Sequence, residues 1–211
     1  MHEPVLETVL RQGLQQLGLE YSELKIQNLL RYVQLLEQWN KHFNLTSVRA
    51  PEQMIIRHLL DSLSVIEYIP EERVLDMGTG AGLPGLVLAI INSDRQYVLL
   101  DSNGKKTRFL TQVKIELALD NVEVAKSRVE TYHPSVPFPA VTSRAFATLS
   151  DSVALLENLL SVGGYFYAMK GKCPDQEINE LPSSYILETI QPLVVPRLNE
   201  ERHLIVIKRL A

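Results

Sequence analysis

The sequence predicts an α/β fold, a largely parallel sheet preceded by a helical region. Three observations carry that prediction. The first 70 of 211 residues place apolar side chains at helical spacing. From residue 73 onward, short apolar segments alternate with helical ones. The first of those segments runs directly into a glycine-rich turn at residues 78–85. Such alternation implies parallel strands covered by helices on both faces.

The elements follow in order. Residues 5–17 and 22–43 are expected to be helical, the second through Leu24, Leu29, Leu30, Val33, Leu35, Leu36, Trp39 and Phe43. Ser22 is a plain N-cap candidate, because Lys25 stands where a capping box needs an acid. Pro51-Glu52 opens a third helical stretch to about Tyr68, broken by Pro70 and the acids after it. Strands are expected at 73–76, 96–101, 122–125, 140–143, 164–170, 185–193 and 203–208. Helices fill most gaps, at 84–91, 104–119, 150–160 and 174–180. No helix separates the last two strands. Pro192 and Pro196 mark their turn, so an antiparallel pair at one edge is expected. The natural division is a helical region over 1–70 packed on a core domain over 71–211.

Composition narrows the function classes. The chain is 45% apolar and 22% charged, ordinary for a soluble globule large enough to bury a core. No apolar run reaches the roughly 18 residues of a spanning helix. Met1-His-Glu-Pro-Val5 has neither the basic start nor the apolar core of a signal peptide. Cys173 is the only cysteine, so no internal disulfide forms, and a reducing cytoplasm is expected. The five histidines, His2, His42, His58, His133 and His203, show no metal-ligand spacing. The net charge of −4 argues against loose, charge-driven nucleic-acid binding but leaves room for a local basic face. Lys105, Lys106, Arg108 and Lys114 lie close together, as do Lys170 and Lys172. The plain reading of each cluster is a solvated face, and it is preferred for Lys114.

Residues 74–85, Val-Leu-Asp-Met-Gly-Thr-Gly-Ala-Gly-Leu-Pro-Gly, read as a buried strand ending in an acid and a glycine-rich turn. Gly80, Gly82 and Gly85 satisfy the dinucleotide pattern G-x-G-x-x-G. Gly78, Gly80 and Gly82 with Asp76 also satisfy D-x-G-x-G-x-G, the S-adenosylmethionine version. Asp76 favours the second, since its carboxylate could meet the methionine ammonium through a backbone or water relay. Pro84 suits the first turn of the following helix. A tight turn that binds nothing is disfavoured, because alternating glycines cost folding entropy that a plain turn does not require.

Asp101 ends the second strand, where an acid can grip ribose hydroxyls; Ser102-Asn103-Gly104 also makes it an N-cap candidate. Ser127-Arg128-Val129-Glu130 follows the third strand and places backbone N–H groups where adenine would lie. The fourth strand ends Val141-Thr-Ser-Arg-Ala-Phe146, without the Pro-Pro-aromatic tetrad of an amino-directed methyltransferase. A cytosine-C5 enzyme needs a nucleophilic cysteine, and Cys173 in Lys-Cys-Pro reads as an incidental thiol. Arg144 remains, a permanent cation for a guanine, a phosphate or a cofactor carboxylate, with an ion pair as the plainer role.

These residues resemble a known family. Trp39-Asn-Lys-x-x-Asn-Leu-Thr-Ser-Val-Arg49, Arg57-His-x-x-Asp-Ser62, Gly78-Thr-Gly-Ala-Gly-Leu-Pro-Gly85, Leu100-Asp-Ser102, Ser127-Arg-Val-Glu130, Ser143-Arg-Ala-Phe-Ala147, Lys170-Gly171 and Glu201-Arg-His-Leu204 run nearly end to end. Together they resemble the RsmG (GidB) methyltransferases, which methylate N7 of a guanine in bacterial 16S ribosomal RNA. Family members often carry proline where this chain has Ala81.

The resemblance implies a class I, Rossmann-like methyltransferase fold: seven strands, mostly parallel, with an antiparallel strand at the edge. It implies S-adenosylmethionine as cofactor and the 530-loop region of 16S rRNA, or the small ribosomal subunit, as substrate, for a protein expected to be monomeric and free of membranes. By position, the cofactor contacts would be Gly78, Leu83, Val129, Glu130 and Arg144, with Asp101 at the ribose and Asp76, Gly80 and Gly82 in the same loop. Guanine N7 already has an in-plane lone pair, so attack on a sulfonium methyl needs no general base; catalysis would be positioning. No residue is assigned to proton transfer, and Arg144 suits cofactor or phosphate better than the guanine face.

Candidate RNA contacts are Lys41, Arg49, Arg57, His58, Lys170, Lys172, Arg197, Arg202 and His203. Arg57 and His58 could equally tie the helical region to the sheet, with His58 and Asp61 as a local pair. Three other readings stay open: a methyltransferase for another RNA, a protein or a small molecule; a nicotinamide-dependent oxidoreductase, disfavoured by Asp76; and a non-catalytic RNA binder, disfavoured by the intact glycine loop.

Overall fold

The computed structural model describes residues 3–145 and 147–211. His2, and Phe146 of the Ser143–Ala147 motif, lie outside the described residues.

The N-terminal layer comprises α1 (Glu3–Gln16) and α2 (Glu23–Phe43). Ser22 occupies the N-cap of α2, but its side chain makes no capping bond. The buried stripe of α2 runs through Ile26, Leu29, Leu30, Val33 and Leu36. Leu24 and Phe43, expected on that stripe, are 69% and 39% exposed. Leu24 is two residues from Ile26, and at 3.6 residues per turn that spacing points it away from the core.

The third helical stretch is segmented. It passes from α3 (Pro51–Met54) through a π-helical run (Ile55–Leu60) into α4 (Asp61–Leu63), then a 3-10 turn (Ile66–Tyr68). Such wide turns are rare and concentrate at functional sites; this one carries Arg57 and His58.

The sheet contains β1 (Arg73–Met77), β2 (Gln96–Asp101), β3 (Val122–Lys126), β4 (Phe138–Arg144), β5 (Leu160–Lys170), β6 (Tyr185–Pro192) and β7 (His203–Arg209). Their spatial order is β3-β2-β1-β4-β5-β7-β6. The first five pair in parallel; β7 is antiparallel to both β5 and β6. The antiparallel pair expected at one edge is present as β7 and β6; within it the strand reversed against its neighbours, which the resemblance implies at the edge itself, lies one place in, and β6 forms the edge. β7 carries the run Leu204-Ile-Val-Ile207, buried throughout, which suits an interior strand. β6 has only exposed and partly covered residues, as suits an edge.

Between the strands lie α5 (Gly85–Ile91), α6 (Gly104–Glu116), α7 (Leu149–Ala154) and α8 (Asp175–Asn179). The helix expected over 150–160 stops at Ala154. Leu155, Leu156 and Leu159 look helical because they are apolar, but the N–H of Phe138 donates to the Leu159 carbonyl at 2.7 Å and Leu160 already pairs with Phe138.

Period-two alternation along β1 divides the core. Val74 faces a cluster built from α1, α2, the π-helical run, α5 and α6; Leu75 and Met77 face a second cluster that includes Leu149 and Val153 of α7. The first cluster is continuous from the N-terminal helices into the sheet. Phe109 of α6 is its aromatic centre, with ring centroids 6.1 Å from Tyr32 and 5.7 Å from Trp39. Burying a ring of this size contributes about 2–3 kcal/mol.

Candidate functional site

The loop between β1 and α5 is held from beneath. Asp76 Oδ2 accepts hydrogen bonds from Thr79 Oγ1 at 2.5 Å and from the Gly85 N–H at 2.8 Å. The side chain is fully buried and Oδ1 has no partner. Burial pushes the carboxyl up to about 6, against the opposing pull of those two bonds. Asp76 thus braces the loop, and only its free Oδ1 is left for any relay toward a ligand.

Gly85 must be glycine because a Cβ there would stand 2.6 Å from Asp76 Cβ. Gly80 has φ +63°, and a Cβ there would have nothing nearer than 3.8 Å, so backbone and open space meet at this point. Tyr32 of α2 donates to the Ala81 carbonyl at 2.9 Å, tying the N-terminal layer to the loop. Pro84 is the N-cap of α5, one place before the first-turn position expected for it.

A cleft of about 360 Å³ opens above the loop at the carboxyl ends of β1 to β4. Its lining includes the expected Gly78, Asp101, Val129 and Glu130. Asp101 accepts from the Asn103 N–H at 2.8 Å through Oδ1 and from the Gly80 N–H at 3.0 Å through Oδ2. Lys106 Nζ lies 3.5 Å from that second oxygen. Asp101 therefore joins β2 to the glycine loop while its carboxylate stays at the cleft wall; Asn103, not Asp101, is the N-cap of α6. Gly82 and Leu83 are packed beneath the loop and do not line the cleft. Ser127 and Arg128, of the segment expected near the adenine, line it too, as do Ser102, Lys106 and Ala145, which sequence reasoning missed. Lys106 had a signal: it stands in the first turn of a helix whose N-cap, Asn103, closely follows Asp101.

Arg144 faces a second pocket, of about 340 Å³, lined among others by Arg57, Asp61, Met169, Lys170 and Arg202. Ala145 lines both cavities. Asp61 is the hub. Its Oδ2 accepts from Arg144 Nη1 and its Oδ1 from Arg202 Nε, at 2.8 and 2.9 Å, with the carboxylate only 3% exposed. Arg144 also donates to the Arg57 carbonyl at 2.8 Å. Glu200 binds Arg57 at 2.6 Å and Arg202 at 3.0 Å.

The pairing expected between His58 and Asp61 is replaced by these arginine bonds. His58 is 5% exposed, 2.9 Å from Thr46 Oγ1 through Nε2, with Arg144 Nη2 3.5 Å from Nδ1. Burial, then the Arg144 charge, pushes its pKa down to about 4. A buried neutral imidazole cannot reach an RNA phosphate, so His58 leaves the set of RNA contacts and ties the π-helical run to its surroundings.

Arg57, Lys170 and Arg202 do come together here. The other candidates do not line this pocket. Lys41 pairs with Glu37 at 3.2 Å, Arg49 bonds Asn44 at 3.4 Å, and Arg197 reaches Glu52 at 3.4 Å. His203 Nδ1 contacts the Gly171 carbonyl at 2.8 Å, and Lys172 follows that glycine. Lys170 donates to the Ala147 carbonyl at 2.8 Å. Cys173 Sγ lies 3.2 Å from Asp175 Oδ1, and burial with this acid pushes the thiol up, away from the thiolate a nucleophile needs. Among the described residues no His, Cys, Asp and Glu cluster could hold a metal, and no helix is long and apolar enough to cross a membrane.

Comparison with known proteins agrees with this geometry. A putative methyltransferase of Escherichia coli, yhhF, superposes with a TM-score of 0.55 at 15% identity, over 72% of this chain and 86% of that one. That likeness establishes the class I methyltransferase fold. The ribosomal RNA small subunit methyltransferase G of Pseudomonas syringae pv. syringae (strain B728a) is 48% identical over 199 residues, 94% of this chain and 93% of its own. Its counterpart in Erwinia tasmaniensis is 50% identical over 192 residues, 91% of this chain and 94% of its own. The family described as rRNA small subunit methyltransferase G (GidB) matches residues 25–205, and the chain belongs to that family.

Proposed function

We propose that this protein transfers a methyl group from S-adenosylmethionine to N7 of a guanine in 16S rRNA of the small ribosomal subunit. The observation that carries the reading is the pair of cavities sharing Ala145, one beside the glycine loop and one lined by arginines. A methyl donor in the first would abut an acceptor base in the second. Residues 1–70 serve as a helical layer that braces the loop through Tyr32.

The cleft fits S-adenosylmethionine. The open space at Gly80 lets a ligand approach backbone, and Asp101 keeps unused lone pairs for ribose hydroxyls. Val129 and Glu130 offer backbone groups to the adenine, and Gly78 lines the wall beneath. The cofactor supplies an electrophilic methyl on a sulfonium. The chain's residues position and do not exchange protons: N7 attacks with its own lone pair, so the reaction needs alignment and water exclusion. Arg144, held by Asp61 and the Arg57 carbonyl, has its Nη1 committed and serves as the fixed wall between the cavities.

The test is to incubate the protein with methyl-labelled S-adenosylmethionine and ribosomal RNA species, then map the labelled base. Label on N7 of one small-subunit guanine is the expected result. Label on an exocyclic amine or on protein overturns the reading. Arg144→Ala should lower methylation while circular dichroism stays native, and full turnover by that variant would remove Arg144 from the site.

A further inference from the structure

The cations of this protein differ in availability. Arg57, Arg144, Arg197 and Arg202 and the lysines Lys41, Lys106 and Lys170 are each within 4 Å of a carboxylate. Others, such as Arg73, Lys208 and Arg209, are committed to rings or carbonyls. Among the described residues, the lysines and arginines with no such commitment are Lys105, Arg108, Lys114, Lys126, Arg128 and Lys172. All but Lys114 and Lys172 gather at one place.

That place is the outer rim of the cleft beside the glycine loop. Lys126 ends β3 opposite Asp101, and its Nζ lies 3.3 Å from where a Cβ on Gly104 would stand, so it rests against the start of α6. Lys105 is the next residue of that helix, and Arg108 lies one turn beyond Gly104. Arg128 lines the cleft itself, two residues past Lys126. All four are exposed. In a chain of net charge −4, a local concentration of unpaired cations is a specific feature, not a background. The helix start adds its own partial positive charge.

We infer that this rim, Lys105, Arg108, Lys126 and Arg128, is the docking track for the phosphate backbone of the RNA that flanks the target base. The inference rests on the RNA reading proposed above. An unpaired cation can neutralise a phosphate and release counterions at no cost in broken ion pairs, whereas a cation already held by an acid must first lose it. Because the cleft that Arg128 lines and the arginine-lined pocket share Ala145, one strand can seat its base in the pocket and run its backbone across the cleft to the rim. The rim is thereby placed to bind without touching the reacting atoms.

The test is the triple variant Lys105→Gln/Arg108→Gln/Lys126→Gln, which leaves Arg128 and the cleft lining intact. Binding to a 16S rRNA fragment is measured by filter binding across a salt series. The slope of log affinity against log salt should become shallower by about 2 units, at roughly 0.7 per contact with a single strand. KM for RNA should rise with little change in kcat, and S-adenosylmethionine affinity by calorimetry should be unchanged. Lys114→Gln, the uncommitted cation away from the rim, should leave the slope as it is. An unchanged slope in the triple variant, or an equal change in Lys114→Gln, overturns the inference. Failure of the wild-type protein to methylate small-subunit RNA would overturn the reaction instead, and the salt slopes would still report on the rim.

Discussion

The two cavities that meet at Ala145 are both rich in basic residues, yet they use charge in opposite ways. In the arginine-lined pocket, Arg144 and Arg202 are clamped to a buried carboxylate, and Arg57 to Glu200. Around the rim of the cleft beside the glycine loop, Lys105, Arg108, Lys126 and Arg128 have no acid within 4 Å. The first arrangement spends charge on rigidity; the second leaves it for a partner. Counting lysines and arginines along the chain therefore misjudges both regions, because what a cation can do depends on what already holds it.

The largest effect should come from damaging the glycine loop, whose Gly78 lines the first cavity and not the second. Gly78→Val places a β-branched residue at φ +69° on the cleft wall. The backbone strain alone costs about 1–2 kcal/mol. S-adenosylmethionine binding should fall below detection in calorimetry, and native affinity would disconnect the glycine loop from the cofactor.

Next is the rigid pocket. Asp61→Ala leaves Arg144 and Arg202 facing each other without their shared acid. Removing one partner of a buried ion pair costs about 3–5 kcal/mol, read as a lower urea midpoint. A stability loss under about 1 kcal/mol would mean that the clamp is not rigid and that the contrast with the rim fails.

A third test uses pH. His58 is neutral in the fold because burial and Arg144 hold its pKa down to about 4, against 6.5 when unfolded. Its contribution is fully present above pH 6.5 and is lost as pH falls toward 4, up to about 3 kcal/mol in all. Asp76, raised to about 6, works in the opposite sense: its contribution is present below 3.8 and lost as pH rises through 6. The difference between wild type and His58→Gln isolates the histidine. Denaturation midpoints of the two proteins should converge as pH drops from 6.5 to 4; parallel curves would place His58 in solvent.

The smallest effect tests whether freeing a cation converts one region into the other. Glu200→Gln releases Arg57 at the edge of the pocket, an exposed pair with little bearing on stability. RNA affinity should rise and the salt slope steepen by under about one unit. A weaker complex would show that Glu200 serves by holding Arg57 in place.

Much of this was legible in the sequence. Asp76 and the glycines marked the strand-turn-helix, Asp101 marked the end of β2, and the alternation of segments marked the sheet. These signals are local: backbone conformation and period-two burial act over a few residues. Other features were hidden. The length of α7 was overread because Leu155, Leu156 and Leu159 are apolar in either a helix or a sheet-covering turn. His58 is a candidate for RNA through the Arg57-His-x-x-Asp-Ser62 motif and equally a tie between the helical region and the sheet; its contacts with Thr46 and Arg144, distant in the chain, favour the tie.

The sequence by itself determined the fold class, the glycine loop and the family, since each is written in residue type and short-range spacing. Tertiary structure alone decided that β7 lies inside the sheet, that Asp76 faces the loop's interior, that Tyr32 braces Ala81, and that Asp61 gathers arginines from β4 and the turn before β7. The physical reason is the same in each case. Burial and ion pairing are set by residues brought together across dozens of positions, and no local pattern records which acid a given cation will meet.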